Sequence, residues 1–159
     1  MGTVVMPPPM DSYGIDLSHG NGVKMAASKH TVSFEIAGSG FEGRQKTYLE
    51  TVVGADRGDL EVFLERDPEN EYDTNAIKVM VKNNKTGVSG QAGWVPAVFA
   101  KALAPVMDGR RRPVVTKWRL VKTAWYGKTR WGMKIQVPIS EATMRRMRRD
   151  LEEARVEEA

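Results

Sequence analysis

The sequence contains no cysteine and only two histidines, His19 and His30. Without cysteine there is neither a disulfide framework nor a thiolate metal site. Two histidines fall short of the three or four nitrogen and sulfur ligands that zinc usually takes, which argues against a histidine-based zinc site. We therefore expect no cofactor.

Long apolar runs are also missing. No segment approaches the roughly 20 apolar residues of a membrane-spanning helix, and the N-terminus lacks the charged start and apolar stretch of a secretion signal. We expect a soluble intracellular protein, cytoplasmic and nucleoid-associated if bacterial, with no membrane partner. At 159 residues and 41% hydrophobic content, the chain is long enough for one domain with a core and short tails.

Acidic residues are absent from one long basic stretch. Residues 109–140 contain nine Lys and Arg and no Asp or Glu, which leaves 15 basic and 20 acidic residues elsewhere. Such segregation of charge is typical of a surface that binds an anionic partner such as nucleic acid. The nine cations are Arg110, Arg111, Arg112, Lys117, Arg119, Lys122, Lys128, Arg130 and Lys134.

Aromatic residues interleave with these cations along two predicted strands, 114–124 and 131–137. They are Trp118, Trp125, Tyr126 and Trp131. Aromatic faces stack nucleic-acid bases at about 1–3 kcal/mol each, and neighbouring cations hold the backbone. An amphipathic hairpin with Trp118 and Trp131 facing the core explains the same pattern, so the sequence leaves open which tryptophans are buried. We expect Tyr126 or Trp125, which flank the turn, at the surface.

Hydrophobic periodicity predicts a small, mainly-β domain with helices. The predicted elements are a strand at 31–36, a short helix at 45–53, strands at 60–64, 77–81 and 91–96, a helix at 97–107, the hairpin strands, and a helix from Glu141 with Ser140 as N-cap. We divide the chain into a flexible Pro/Gly-rich arm at 1–30, a folded domain at 31–138 and a charged C-terminal helix at 139–159.

The loop between the predicted strands 60–64 and 77–81 is longer than most hairpin loops. It is rich in Asp, Asn and Pro, which favour turns, and Tyr72 is its one aromatic residue. Loops held between two strands often carry function, because the sheet fixes where they point. The alternative is a solvated turn with Tyr72 folded down onto the sheet.

The segment from Arg66 to Val79 is RDPENEYDTNAIKV, and it resembles the signature of the HIRAN domain family, which usually reads RxPxNPYDxNAIxV. Glu71 departs from the family, which usually has Pro there. Two further motifs are similar to HIRAN elements: Gly43-Arg44-Gln45, after a strand and an aromatic residue, and Gly93-Trp94-Val95-Pro96, before a helix. The resemblance covers residues 31–137.

What the resemblance implies for the fold is a small α+β domain, an OB-like β-barrel with one short and one longer helix, to which this chain adds a C-terminal helix. The implied activity is binding of single-stranded DNA at a free 3′ end, in DNA repair, replication or recombination. Family members can place a Lys early in the helix after the third motif. This chain has Ala97 there, and Lys101, one turn later, is the expected substitute.

The same resemblance implies roles for individual residues. Tyr72 stacks on the terminal base, with Phe41 on its other face. Asp73 accepts a hydrogen bond from the 3′-hydroxyl, and Arg44 binds the penultimate phosphate. Asn70 orders the loop or contacts the end, and Trp94 walls the pocket. The predicted nucleic-acid-binding residues are Phe41, Arg44, Asn70, Tyr72, Asp73, Gly93, Trp94, Lys101 and Tyr126.

Two other classes of function remain open at this point. A protein-interaction adaptor would use the C-terminal helix, through Met144, Met147 and Leu151. A metal-dependent nuclease would use the loop carboxylates, Asp67, Glu71 and Asp73. We see no catalytic apparatus and expect a protein that is not an enzyme. Its expected partners are a single-stranded 3′ end, a helicase or nuclease, or a second copy bound through residues 141–155.

Overall fold

The computed structural model describes residues 15–16, 30–109 and 113–158. Its strands are β1 (Ile15–Asp16), β2 (His30–Glu35), β3 (Leu60–Arg66), β4 (Ile77–Asn83), β5 (Ser89–Trp94), β6 (Lys117–Trp125) and β7 (Lys128–Ile139). Its helices are α1 (Glu42–Thr47), α2 (Ala97–Asp108) and α3 (Glu141–Glu158). A π-helical turn (Tyr48–Val52) continues α1, and a 3-10 turn (Arg57–Asp59) precedes β3. The predicted order is confirmed. The predicted arm at 1–30 lies outside the described residues, apart from β1 and His30.

Two antiparallel sheets make up the described part of the domain. The first has the strand order β1-β2-β7-β6, and the second is a meander of β3, β4 and β5. The two sheets meet at one corner, where Ala37 and Trp94 exchange two backbone hydrogen bonds of 2.8 Å. The α+β class and the OB-like character are confirmed. Among the described residues, the strands form two sheets joined at this corner instead of one closed barrel.

The corner exists because the chain after β2 leaves the first sheet and crosses to the second. Gly93 permits the close approach, since a Cβ there would lie 2.6 Å from the carbonyl oxygen of Ala37. Where β2 no longer pairs with β7, the Gln45 side chain forms hydrogen bonds with the β7 backbone. Its Oε1 accepts from the Trp131 N–H at 2.8 Å, and its Nε2 donates to the Trp131 carbonyl at 2.7 Å. One side chain thus replaces a strand pairing.

The core lies between the two sheets and the α2 helix. Alternate residues of β2, β4 and β7 point inward, as a two-residue period requires, and Phe34 stacks on Phe99 of α2 with ring centroids 4.7 Å apart. Trp118 and Trp131 are half-buried and pack against this core, as the amphipathic interpretation of the hairpin predicts. No helix in the described ranges is long and apolar enough to cross a membrane.

The C-terminal helix α3 docks on the domain through α2. Met144, Met147 and Leu151 are all buried, and Arg146 donates a hydrogen bond to the Ala102 carbonyl. Ser140 caps the helix as predicted, because its Oγ accepts from the N–H of Thr143 at 3.1 Å. The three apolar residues that an adaptor would present to a partner are therefore covered by the domain itself.

Candidate nucleic-acid interface

A cavity of about 850 Å³ lies at the corner where the two sheets meet. Three segments distant in sequence form it: the start of α1, the loop between β3 and β4, and the junction of β5 with α2. Its lining residues are Ala37, Phe41, Gly43, Arg44, Thr47, Asn70, Tyr72, Asp73, Ala76, Gln91, Trp94, Val95 and Ala97. All three sequence motifs therefore contribute to one cavity, and six of the nine predicted residues line it.

Arg44 is held in the cavity wall by aromatic rings and a backbone carbonyl. Its Nη1 donates to the Gly38 carbonyl at 2.9 Å. Its guanidinium lies 5.0 Å from the centroid of the Phe41 ring and 5.8 Å from that of Trp94. Cation–π contacts at these distances orient a guanidinium, which still has N–H groups to offer. The result is a fixed cation suited to a phosphate.

Asn70 orders the loop between β3 and β4. Its Oδ1 accepts hydrogen bonds from the N–H groups of Tyr72 and Asp73 at 2.9 and 3.0 Å. Its Nδ2 donates to a carboxylate oxygen of Asp67 at 3.2 Å. Glu71 lacks the fixed φ of a proline, and the Asn70 side chain supplies a turn by hydrogen bonding instead. Of the two roles predicted for Asn70, these contacts favour ordering the loop.

Arg66 ties the same loop to the end of α2, a role that the sequence did not reveal. Its Nη1 donates to the carbonyls of Thr74 and Ala76 at 3.0 and 2.9 Å. Its Nε and Nη2 bind the two carboxylate oxygens of Asp108 at 2.9 and 3.1 Å. The hydrogen bond from Arg66 holds the pKa of Asp108 below its usual value. Arg66 is the first residue of the signature segment, and that position was the sequence signal that could have revealed its role.

Tyr72 and Phe41 leave their rings in solvent at the edge of the cavity. Tyr72 is 94% exposed and Phe41 is 67% exposed, so the alternative of a Tyr72 folded onto the sheet is wrong. Beside them, Asp73 accepts from the N–H of Asn75 through Oδ1 at 2.8 Å. Its Oδ2 has no hydrogen-bond partner in the part of the chain that the structure describes. Two exposed rings and a carboxylate oxygen therefore face the same opening.

Three predicted site residues lie away from the cavity. Gly93 permits the close approach of the two sheets at the corner, and it does not line the cavity. Lys101 forms an ion pair of 3.8 Å with Asp150 of α3. Tyr126 lies at the tip of the β6–β7 turn, 86% exposed and with a φ of 48°. The side chain of Trp125 lies outside the described residues.

Thr47 and Gln91 add polar groups to the cavity that the sequence analysis did not single out. Thr47 is at the end of α1, one turn after Arg44, so that helical spacing was the available signal. Gln91 is in β5, where its Nε2 donates to the Gly93 carbonyl at 3.0 Å. Across the described ranges, no three His, Cys, Asp or Glu side chains come close enough to hold a metal ion.

The fold and the cavity define a small α+β binding domain whose pocket combines exposed aromatic rings with a fixed cation. The family model of the HIRAN domain matches residues 30–119, which is more than half of the chain, and the chain belongs to the HIRAN domain family. This is a family of nucleic-acid-binding domains. Neither a search of curated proteins nor a search of solved structures returned a match.

The family match ends inside β6, whereas the first sheet continues beyond it. β7 pairs with β2 over six residue pairs and with β6 over nine. The hairpin is therefore part of the same folded unit as the matched segment, although most of it lies outside the family match.

Proposed function

We propose that this protein binds single-stranded DNA at a free 3′-hydroxyl end and serves DNA repair, replication or recombination as a binding module without catalytic activity. The observation that carries the proposal is the set of groups at the cavity mouth. Two exposed rings, Phe41 and Tyr72, lie beside the fixed guanidinium of Arg44 and the carboxylate of Asp73. A 3′-terminal nucleotide has a base for the two rings, a phosphate for the guanidinium and a hydroxyl for the carboxylate.

The rings account for binding of the base. Each base that stacks on an exposed aromatic ring contributes about 1–3 kcal/mol to binding. In the proposed complex the terminal base stacks on Tyr72, and Phe41 contacts its other face. Such stacking tolerates every base, because each base has a π face, so we expect little sequence preference.

The charged groups account for recognition of the end. The carboxylate of Asp73 accepts a hydrogen bond from a 3′-hydroxyl, whereas it repels a 3′-phosphate. Arg44, held by Gly38 and two rings, binds the preceding phosphate through charge-assisted hydrogen bonds. An internal nucleotide carries a phosphate where the terminal hydroxyl would be, so Asp73 also disfavours continuous strands.

Fluorescence anisotropy on four forms of one short sequence tests the proposal: a 3′-hydroxyl strand, a 3′-phosphate strand, a circularised strand and a blunt duplex. We expect the 3′-hydroxyl strand to bind most tightly. We expect Asp73→Ala to abolish that preference, because it weakens binding of the 3′-hydroxyl strand and removes the repulsion that disfavours the 3′-phosphate and circular strands. Equal binding of all four forms by the unaltered protein would refute end recognition.

A further inference from the structure

We propose that the outer face of the β6–β7 hairpin binds the phosphate backbone of the same strand, on the 5′ side of the nucleotide in the cavity. We call this surface the basic face and define it by Lys117, Arg119, Lys128, Arg130 and Lys134. The inference rests on the proposed function, because it takes the cavity as the place where the strand ends. Most of this face lies beyond the segment that the family model matches.

Strand register places these five cations on one side of the sheet. Side chains of successive residues alternate between faces, and Trp118, Leu120, Met133 and Ile135 pack against or within the core. The intervening residues of β6 and β7 therefore point outward. Lys117 and Arg119 do so on β6, where Arg119 lies directly opposite Lys134 of β7.

The pairing of Arg119 with Lys134 is difficult to explain as a device for stability. Like charges directly opposite each other in an antiparallel sheet are destabilising. Burial, and then the charge of Arg119, lower the pKa of Lys134, whereas the charge of the neighbouring Glu35 raises it. The folded protein thus keeps two cations together at a cost, and an anionic ligand would offset that cost.

A short loop at 38–41 joins the basic face to the cavity. On the cavity side, Arg44 donates to the Gly38 carbonyl at 2.9 Å. On the side of the hairpin, Arg130 donates to the Gly40 carbonyl, also at 2.9 Å. The same loop leads into Phe41 at the cavity mouth. A strand that leaves the cavity past Phe41 therefore meets Arg130 first, and then the pair Arg119 and Lys134.

The distance is suited to several nucleotides. From Arg130, which donates to the Gly40 carbonyl in the loop beside the cavity, to Lys134 is four residues of strand, or about 13 Å. Stacked nucleotides advance about 3.4 Å each along one strand. A trinucleotide bound in the cavity would barely reach the pair, whereas a dodecanucleotide would cover the whole face.

The test compares a charge-neutralised face with a matched control. Lys117→Gln with Lys134→Gln removes two lysines from the face and leaves Arg119 of β6 unchanged. Lys82→Gln with Lys85→Gln removes two exposed lysines from β4 and the turn after it, on the other sheet. The probes are 5′-labelled oligothymidylates of three and twelve nucleotides, each with a 3′-hydroxyl, together with a circular strand.

We expect the face variant to bind the trinucleotide as the unaltered protein does and to lose most of the extra affinity for the dodecanucleotide. Each phosphate contact on a single strand contributes about 0.7 to the salt slope. With two contacts fewer, the loss of affinity between 50 and 200 mM salt should be about sevenfold smaller. The control variant should keep the original slope, and the face variant should unfold at the same or a higher denaturant concentration.

Three results would overturn the proposal that the basic face binds phosphates. They are an unchanged salt slope in the face variant, an equal change of slope in the control variant, or a face variant that is less stable and binds both oligonucleotides more weakly. These outcomes are separable from a failure of end recognition. If the unaltered protein binds circular and linear strands alike, end recognition fails, and the salt slope on the circular strand still reports on the face. If the preference for the 3′-hydroxyl persists with an unchanged slope, only the face fails.

Discussion

Arg66 and Asp108 form a two-pronged ion pair, with 2.9 Å from Nε to Oδ1 and 3.1 Å from Nη2 to Oδ2. The same guanidinium donates to the carbonyls of Thr74 and Ala76. One side chain at the end of β3 therefore joins the loop between β3 and β4 to the last residue of α2. Because the fork of an arginine is rigid, the pair fixes the orientation of the loop as well as its position.

Asp108→Asn should loosen this connection without unfolding the domain. Asparagine cannot accept both prongs of the guanidinium, so we expect a several-fold loss of affinity for a 3′-hydroxyl strand and a small change in melting temperature. Since the pKa of Asp108 is lowered in the folded state, the pair's contribution to stability is present above the ordinary carboxyl range and is lost as pH falls. Binding and thermal melts measure both effects.

The control is Asp56→Asn, which removes one exposed carboxylate from the residue preceding the 3-10 turn. It should match the unaltered protein in end binding. If Asp108→Asn binds the 3′-hydroxyl strand normally, the ion pair does not position the loop. Equal weakening by both variants would also show that the loss is not specific to the ion pair.

The exposed rings give a separate prediction. Tyr72→Ala and Phe41→Ala should each weaken binding by about 1–3 kcal/mol, the worth of one stacked base. Both rings are mostly in solvent, so neither change should lower the melting temperature appreciably. Leu49→Ala, at another exposed apolar residue, is the control and should bind normally. Anisotropy titrations that show no loss for either ring variant would exclude stacking at the cavity mouth.

Much of the cavity could be predicted because its three motifs are local in sequence. The loop with Asn70, Tyr72 and Asp73 lies within one signature, and Arg44 and Trp94 lie within two others. Each motif carries its own turn chemistry, and the resemblance of all three to HIRAN elements indicated which side chains are held together. Alternation in the hairpin offered inward-facing Trp118 and Trp131 as one of two interpretations, and the structure favours it, since both pack against the core.

The remaining features depend on packing between distant segments. Lys101 shares a helix face with Ala97, which lines the cavity, but one turn further along α2 displaces it by about 5.4 Å and brings it to Asp150. Gly93 was predicted as a binding residue, and its actual constraint is the carbonyl of Ala37. Neither the docking of α3 nor the crossing at the corner has a local signal.

Gly93→Ala should test that constraint on the corner. The added methyl group would meet the Ala37 oxygen at 2.6 Å, and overpacking of this kind typically costs about 1–3 kcal/mol. Gly58→Ala is the matched control, because a Cβ at Gly58 meets nothing within 4 Å. We expect chemical denaturation to show a loss of stability only for Gly93→Ala. Equal stability of the two variants would mean that the corner can widen freely.

Met147→Ala should show whether α3 is an integral part of the domain. Met147 is fully buried, and truncating a buried Met to Ala typically costs about 2–5 kcal/mol. Arg148→Ala, at the exposed neighbouring position, should leave stability nearly unchanged. If α3 instead packs only against a partner protein, Met147→Ala should cause no loss of stability. That result would favour the adaptor hypothesis. Denaturant unfolding, followed by a tryptophan signal from the sheet, distinguishes the two.

Tyr48 should make stability fall at alkaline pH. It is fully buried in the π-helical turn, and burial, then the charge of Glu35, raise its pKa above the ordinary value of 10.0. The folded state therefore keeps a proton that the unfolded state loses, so stability is complete below pH 10 and declines above it. Relative to Tyr48→Phe, the unaltered protein should lose up to about 1.4 kcal/mol per pH unit. Parallel stability curves for Tyr48→Phe and the unaltered protein would contradict a raised pKa.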